Sequence, residues 1–298
     1  MSLIVITGPT ASGKTDLGIA VAKALDTEII SADSRQIYKG LEIGSAQPSE
    51  KQLREVKHHF IASLDIHQPF SAGDFASQSN ALLKELFLKK KTAVMVGGSG
   101  LYIKALLEGM NEFPDIDEEV RTKLNTMLET EGIEALQHLL KEKDPEYFEK
   151  VDIHNPQRVI RALEVCLSTQ KTFTSFQKEK PFKPDFDYKI FAVDWPRDVL
   201  YSRIEERTDA MMQDGFLQEA EALFPFAGLN PLNTVGYKEL FAHFRGEISL
   251  DEAVLKIKQH TRNFAKRQLT WVRHQFDPTW LLPSDIETMT KTILDGHR

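Results

Sequence analysis

The sequence of 298 residues contains a single cysteine, Cys166, in the apolar stretch VIRALEVCL. One thiol excludes an internal disulfide and a cysteine-based zinc site, and we interpret Cys166 as a buried, inert side chain. The nine histidines are scattered, and neighbours such as His58 and His59 project in different directions on any regular element. A histidine-based metal site is therefore not expected.

Long hydrophobic runs are also missing. No basic region is followed by an apolar leader, and no stretch approaches the roughly eighteen apolar residues that span a bilayer. The hydrophobic content of 41% is sufficient for a packed core, and the length predicts about two domains. We expect a globular, cytoplasmic protein that is a monomer.

The chain has little net positive charge, since its formal charge is −7, but its charges are segregated. From Lys256 to His274 there are six Lys or Arg, two His and no acidic residue. On a helix, Arg262, Lys266 and Arg273 fall within about 40° of each other, and we call these three residues the basic stripe. Because no acidic residue follows them along the helix, we predict that the stripe binds a polyanion. A solvated charged face is the alternative.

The segment GPTASGKT follows the apolar run LIVIT and has the spacing of a P-loop, whose backbone amides hold phosphate. Lys14 would supply a positive charge, and the Thr15 hydroxyl would bind Mg²⁺. Most P-loops bind ATP or GTP, although the loop itself recognises only phosphate. An accidental match on a glycine-rich turn is the alternative. The phosphate-binding residues predicted are Gly8, Pro9, Thr10, Ala11, Ser12, Gly13, Lys14 and Thr15.

Three β-type runs in the first hundred residues, LIVIT, TEIISA and TAVMV, precede the loops GPTASGKT, DSRQ and GGSGLY. Because helical segments alternate with them, we predict an α/β fold with a parallel-sheet core, flanked by helices, and one cleft at the carboxyl ends of the strands. Asp33 in the second loop would either hold Mg²⁺ through water or act as a general base. Ser99 would offer a hydroxyl to a ligand or serve as a turn residue.

Residues 113–187 are rich in charged, helix-forming sequence, and we predict an all-helical insertion domain there, within a P-loop core of residues 1–112 and 188–298. In HNPQRVIRALEV, Asn155 is the expected N-cap and Pro156 the first helical residue. Arg158 and Arg161 then lie where the helix dipole disfavours cations. Either an anionic partner or an intramolecular carboxylate would explain their placement.

Six blocks of the sequence together resemble the tRNA dimethylallyltransferases, also called tRNA isopentenyltransferases. They are, in order, GPTASGKT, SADSRQIYKGLEIGSAQP, GGSGLY, NPQRVIRALEV, VGYKEL and KRQLTWVR, and they extend from residue 3 to about residue 274. One cysteine and a short carboxyl-terminal tail are unlike the zinc finger of some eukaryotic relatives. The chain therefore looks like a compact bacterial-type member.

The resemblance implies that the P-loop holds the diphosphate of dimethylallyl diphosphate, with Mg²⁺, and that the five-carbon group is transferred to N6 of adenosine 37 in the tRNA anticodon loop. Asp33 would be the base, and Lys14 and Ser99 would also be catalytic. Ser34, Arg35 and Gln36, together with Asp33 and Ser99, would lie beside the target adenosine. The further tRNA contacts implied are Arg121, Gln157, Arg158, Val159, Ile160, Arg161, Gly236, Tyr237, Lys238, Lys266, Arg267, Gln268 and Arg273.

Three rival functions remain open from the residues alone. A P-loop small-molecule kinase would place Asp33 on Mg²⁺ or on the acceptor hydroxyl, with the helical insertion as a lid. An RNA-binding regulatory protein would use the P-loop as a nucleotide switch without group transfer. A transferase acting on free adenine nucleotides is the third.

Overall fold

The computed structural model describes residues 1–111, 113, 116–177 and 182–297. Six parallel strands form one sheet in the order β3-β2-β4-β1-β5-β6. The α/β fold class with a parallel sheet is confirmed. The strands are β1 (Ser2–Thr7), β2 (Ile29–Ser31), β3 (His58–His59), β4 (Thr92–Val96), β5 (Asp187–Val193) and β6 (Thr279–Leu281).

Helices connect and flank these strands, as parallel pairing requires. They are α1 (Lys14–Ala24), α2 (Glu50–Glu55), α3 (Ala72–Phe87), α4 (Gly100–Glu108), α5 (Glu118–Glu131), α6 (Ile133–Lys143), α7 (Pro145–Phe148), α8 (Pro156–Thr169), α9 (Arg197–Gln213), α10 (Phe216–Leu223), α11 (Tyr237–Phe244), α12 (Leu250–Gln275) and α13 (Ile286–His297).

The central strands are buried on both faces, because helices cover each side of the sheet. Leu3 and Val5 of β1 pack on one face with Met95 of β4. Ile4 and Ile6 point to the other face. This arrangement explains why the strands are continuous apolar runs in the sequence, without polar alternation.

Local capping determines where several helices begin. Ser71 and Asp74 form a reciprocal capping box at the start of α3. The Asn155 side chain accepts a hydrogen bond from the Arg158 amide, with Pro156 as the first residue of α8, so the predicted N-cap is confirmed.

The chain divides into two compact units, Met1–Glu108 with Lys183–Arg298, and Gly109–Phe182. The sequence placed these boundaries at 112/113 and 187/188. The first unit contains the sheet. The second contains α5 to α8 around its own core, which includes Leu136, Leu163 and the buried Cys166.

Strands β3 and β6 were not predicted. They have two and three residues and lie at the two edges of the sheet, where pairing with a single neighbour does not require a long apolar run. Across the described residues, no helix is both long enough and apolar enough to cross a membrane.

Candidate active site

The loops after β1, β2 and β4 line one cavity of about 1100 Å³ in the sheet-containing unit. All three strands end at the same edge of the sheet, with β4 between β1 and β2. The structure therefore brings together the loops expected to share a cleft. Their residues on its wall are Thr10, Ala11, Ser12, Gly13, Lys14, Thr15, Asp33, Ser34, Arg35, Gln36, Gly97, Gly98 and Ser99.

Residues 8–15, which we call the phosphate loop, are held against the sheet and the first helix. Gly8 has φ +140°, and a Cβ there would lie 2.8 Å from the Val193 carbonyl oxygen. Gly13 has φ +83° and precedes the first residue of α1, Lys14. Glycine is needed at both positions because an L side chain rarely adopts this backbone conformation. The amino terminus of α1 and its dipole thus border the cavity.

Lys14 is half-buried, and its side chain points back along the phosphate loop. Its Nζ donates to the Pro9 carbonyl oxygen at 2.5 Å and to Ser12 Oγ at 3.4 Å. Burial and, to a smaller extent, repulsion by Arg207 lower the pKa of Lys14 to about 7, although the attraction of Asp33 opposes the change. A diphosphate in the cavity would favour the charged ammonium and raise this pKa.

Two arginines of α9, which were not predicted from the sequence, contact the phosphate loop. Arg203 Nε donates to the Ala11 carbonyl oxygen at 2.8 Å, and Arg207 Nη1 donates to Thr10 Oγ1 at 3.1 Å. Burial lowers the pKa of Arg207, against the attraction of Asp33. The signal that the sequence offered for them was their spacing of four residues, which places both arginines on one face of a helix.

Gln268 of α12 connects the phosphate loop to the loop after β4. Its Oε1 accepts from the Thr10 amide at 2.8 Å, and its Nε2 donates to the Gly98 carbonyl oxygen at 3.0 Å. A Cβ at Gly98 would lie 2.4 Å from that Nε2 atom. Gln268 was implied as a tRNA contact, but both ends of its amide are engaged within the protein. The structure thus gives its side chain a supporting role.

Asp33 follows β2, and its side chain bonds to the backbone of residues that come soon after it. Its Oδ1 accepts from the Arg35 amide at 2.9 Å and from the Gln36 amide at 3.2 Å. These two bonds fix the carboxylate at the wall of the cavity. Ser99 lies nearby: its Oγ accepts from the Ser34 amide at 2.9 Å and donates to Ser34 Oγ at 3.3 Å.

The residues that follow Asp33 are largely engaged by protein groups. Arg35 Nη1 donates to the Asn230 carbonyl oxygen at 3.0 Å, and burial lowers the pKa of Arg35. Gln36 Nε2 donates to the Ala46 carbonyl oxygen at 2.8 Å, and its Oε1 accepts from Ser31 Oγ at 3.2 Å. The side-chain amide of Gln36 therefore holds the loop in place, and Gln36 also lines the cavity.

The carboxyl-terminal helices form another wall of the cavity. Gly236, Lys238 and Arg267, which the family resemblance implied as tRNA contacts, line this wall, and His260 lies there as well. His260 Nδ1 lies 2.6 Å from Oε1 of the buried Glu239. His260 was not singled out from the sequence.

Two members of the basic stripe are paired with carboxylates from other elements. Arg262 Nη1 lies 2.6 Å from Glu205 Oε1, and Arg273 Nη2 lies 2.5 Å from Asp194 Oδ2. The expectation of a stripe without acidic partners is therefore wrong, because the partners come from α9 and from the turn after β5. In the part of the chain that the structure describes, no carboxylate pairs with the exposed Lys266.

In the second unit, the buried carboxylate of Glu164 pairs with two arginines that the resemblance implied as tRNA contacts. Arg121 Nε lies 3.0 Å from its Oε1, and Arg161 Nη1 lies 3.3 Å from its Oε2. Arg161 also covers the Phe113 ring. The intramolecular alternative for Arg161 is the observed one. Gln157 and Arg158 are exposed on α8.

Three other implied tRNA contacts have side chains inside hydrophobic cores. Val159 and Ile160 pack in the core of the second unit, and Tyr237 is fully buried in the first. These side chains present no surface to an RNA, which leaves only their main chains for such a contact.

The donor set suits a magnesium ion that arrives with a diphosphate. Among the described residues no group of three or more His, Cys, Asp or Glu could hold a metal, whereas the Thr15 hydroxyl and the Asp33 carboxylate both line the cavity. Mg²⁺ is commonly held by one or two protein oxygens together with substrate phosphates and water. Thr15 and Asp33 therefore fit this ion.

The sequence and fold match known transferases. A family model described as IPP transferase matches residues 36–275. The chain is 48% identical to the tRNA dimethylallyltransferase of Christiangramia forsetii over 295 residues, which cover 98% of this chain and 96% of the relative.

Solved structures agree. The crystal structure of a tRNA delta(2)-isopentenylpyrophosphate transferase from Staphylococcus epidermidis aligns with a TM-score of 0.72 at 35% identity, covering 99% of this chain and 98% of that one. A eukaryotic dimethylallyltransferase acting on tRNA aligns with a TM-score of 0.79 at 22% identity, covering 99% and 77% respectively, and shows the likeness of the fold alone.

Proposed function

The chain belongs to the IPP transferase family, and we propose that it transfers the dimethylallyl group from dimethylallyl diphosphate to N6 of adenosine 37 in tRNA, releasing pyrophosphate. One observation carries the proposal: a single cavity contains both a cationic phosphate loop and a fixed carboxylate, Asp33. The phosphate loop can bind a diphosphate leaving group. The Asp33 carboxylate can accept the proton of a weakly nucleophilic amine.

The diphosphate would bind at the phosphate loop. Backbone amides of the loop, Lys14 and the guanidinium groups of Arg203 and Arg207 surround this end of the cavity. Charge accumulates on the diphosphate as the allylic C–O bond breaks, so positive groups already in place stabilise the transition state more than the ground state. Bound Mg²⁺ would neutralise part of the same charge and would be held by the Thr15 hydroxyl together with the diphosphate, which leaves the Asp33 carboxylate available as a base.

Asp33 would accept the proton of the attacking amine. The N6 lone pair of adenine is delocalised into the ring, so the new N–C bond forms more readily as the N–H proton moves to a carboxylate. The proton passes to Asp33, the allylic carbon passes to N6, and the C–O electron pair leaves with pyrophosphate. Hydrogen bonds from two amides orient Asp33 for this role.

The adenosine would have to leave its stack to enter the cavity. Lys238, Arg267 and the exposed Phe264 line the cavity, and Arg267 Cζ lies 5.9 Å from the centroid of the Phe264 ring. Cations bind the RNA backbone, and an exposed aromatic face stacks with bases. These residues would hold the nucleotides next to the flipped base.

The experiment compares group transfer with ATP consumption. The protein is incubated with Mg²⁺, unmodified tRNA and dimethylallyl diphosphate labelled in the allylic group, and separately with tRNA and γ-labelled ATP. Label in acid-precipitated RNA, with no phosphate release from ATP, is expected. ATP turnover without transfer would instead identify a P-loop kinase, the alternative for the same phosphate loop.

A further inference from the structure

Residues 41–47, LEIGSAQ, form a tight loop at the cavity wall, and the one charged side chain among them, the exposed Glu42, does not line the cavity. We call it the support loop. It is folded by its own backbone, since the Ala46 amide donates to the Ile43 carbonyl oxygen at 2.9 Å and the Gln47 amide donates to the Glu42 carbonyl oxygen at 2.9 Å. The proposed reaction assigns this loop no part.

Glu219 of α10 fixes the outer side of the support loop. Its Oε2 accepts from the Ile43 amide at 2.7 Å, and its Oε1 accepts from the Gly44 amide at 2.8 Å. The Tyr237 hydroxyl donates to the same Oε1 at 2.6 Å. Three bonds to one carboxylate are individually stronger than bonds between neutral groups.

The backbone of the support loop packs on two aromatic side chains, Phe216 and Tyr237. Tyr237 is fully buried and meets Phe216 edge to face, with ring centroids 5.2 Å apart. Burial, and then the carboxylate of Glu219, raises the pKa of Tyr237, so the hydroxyl stays a donor. A Cβ at Gly44 would lie 2.4 Å from the Phe216 ring and 2.5 Å from that of Tyr237. The backbone of the loop rests directly on this pair.

The inner side of the support loop holds Gln36. The carbonyl oxygens of Ser45 and Ala46 accept from Gln36 Nε2 at 3.3 and 2.8 Å, and Gln47 Nε2 donates to the Gln36 carbonyl oxygen at 3.1 Å. The Gln36 amide, in turn, donates to Asp33 Oδ1 at 3.2 Å. Hydrogen bonds joined through the backbone of the support loop and through Gln36 thus connect Glu219 to the carboxylate at the cavity wall.

We propose that Glu219 is a positioning residue: through the support loop and Gln36 it holds Asp33 where the carboxylate can take the proton of the incoming amine. The proposal rests on the proposed function. Glu219 itself does not line the cavity, although it bonds to Gly44, which does. Its importance is geometric, since a displacement of about 1 Å at a reacting group can cost on the order of 10²-fold in rate.

The first test is Glu219→Gln, which keeps the size of the side chain but turns one acceptor into a donor facing a backbone N–H. We expect the single-turnover transfer rate at saturating substrates to fall about 10- to 100-fold, with pyrophosphate and tRNA affinity within about threefold of wild type. Glu221→Gln, exposed on the same helix, is the matched control and should transfer at the wild-type rate. A Glu219→Gln rate within twofold of wild type would overturn the proposal.

The second test asks whether Glu219 acts through Asp33. Adding Glu219→Gln to Asp33→Asn should slow transfer less than twofold further, because the group being positioned is already gone. A general loss of structure would slow both backgrounds by the same factor and overturn the proposal.

Where Glu219→Gln lowers the yield of folded protein, Tyr237→Phe removes one donor of the three, and a three- to tenfold slower transfer is expected; an unchanged rate would count against the positioning role.

These experiments test the transferase function and the positioning role of Glu219 separately. If wild-type protein transfers no label to tRNA, the proposed function falls. If wild-type protein is active and both backgrounds respond equally to Glu219→Gln, the positioning role falls and the transferase assignment stands.

Discussion

Gln268 accepts a hydrogen bond from the backbone amide of Thr10 at 2.8 Å, so α12, which carries the KRQLTWVR block, supports the phosphate loop. The other end of the same amide donates to the Gly98 carbonyl oxygen. Two strand-end loops are therefore held at a fixed separation by one side chain. We expect diphosphate affinity to depend on this contact.

Gln268→Ala should weaken pyrophosphate binding about 5- to 30-fold, because the loss of one partner leaves a partly buried amide unsatisfied at a cost of about 1 to 2 kcal/mol. Titration calorimetry with pyrophosphate and Mg²⁺ measures this change. His274→Ala, exposed on the same helix, is the control. Lost tRNA affinity with intact pyrophosphate affinity would instead support Gln268 as an RNA contact.

Lys14 should couple diphosphate binding to proton uptake. Its pKa is about 7 in the free protein, and a bound anion raises it. Above pH 7 the free side chain is mostly neutral, so binding takes up a proton and affinity falls as pH rises. At pH 8, calorimetry in buffers of different ionisation enthalpy should show close to one more proton taken up by wild type than by Lys14→Arg, which stays charged. Equal uptake by the two proteins would contradict the lowered pKa.

Asp33→Asn should lower the single-turnover transfer rate by about 10² to 10⁴, the usual contribution of a general base. Affinity for tRNA and for pyrophosphate should stay within a few-fold, since Asn retains an oxygen for the Arg35 and Gln36 amides. Rapid-quench assays measure the rate. A variant whose rate is restored by high Mg²⁺ concentration would instead place Asp33 mainly on the metal.

Salt dependence of tRNA binding should separate Lys266 from the paired members of the basic stripe. Lys266→Ala should weaken binding and reduce the slope of log affinity against log salt by roughly one unit, as expected for one lost phosphate contact. Arg262→Ala should change the slope less, because Glu205 already neutralises Arg262. Fluorescence anisotropy across a salt series gives both slopes. Equal slopes for wild type and Lys266→Ala would make this residue a solvated surface charge.

Much of the fold could be predicted from local signals. The phosphate loop and the Asn155 cap each depend on neighbouring residues, and the central strands are uniformly apolar because helices cover both faces. The partners of Arg262 and Arg273 could not be predicted, because Glu205 and Asp194 are distant in sequence and become neighbours only when α9 and the residue after β5 meet α12 in the folded chain.

The buried position of Tyr237 shows the same limit. A tyrosine within a motif is compatible with either a surface contact or a core contact, and only the packing of α10 against α11 decides between them. Arg203 and Arg207 were missed for the opposite reason: their spacing was visible, but their approach to the phosphate loop is tertiary.

The most direct measurement of the central claim is mass spectrometry of nucleosides from tRNA treated with the protein, Mg²⁺ and dimethylallyl diphosphate. We predict one new nucleoside, adenosine carrying a dimethylallyl group on N6, in tRNA with adenosine at position 37, and none in a tRNA with guanosine there. Modification of the guanosine-37 tRNA, or of an atom other than N6, would contradict the account.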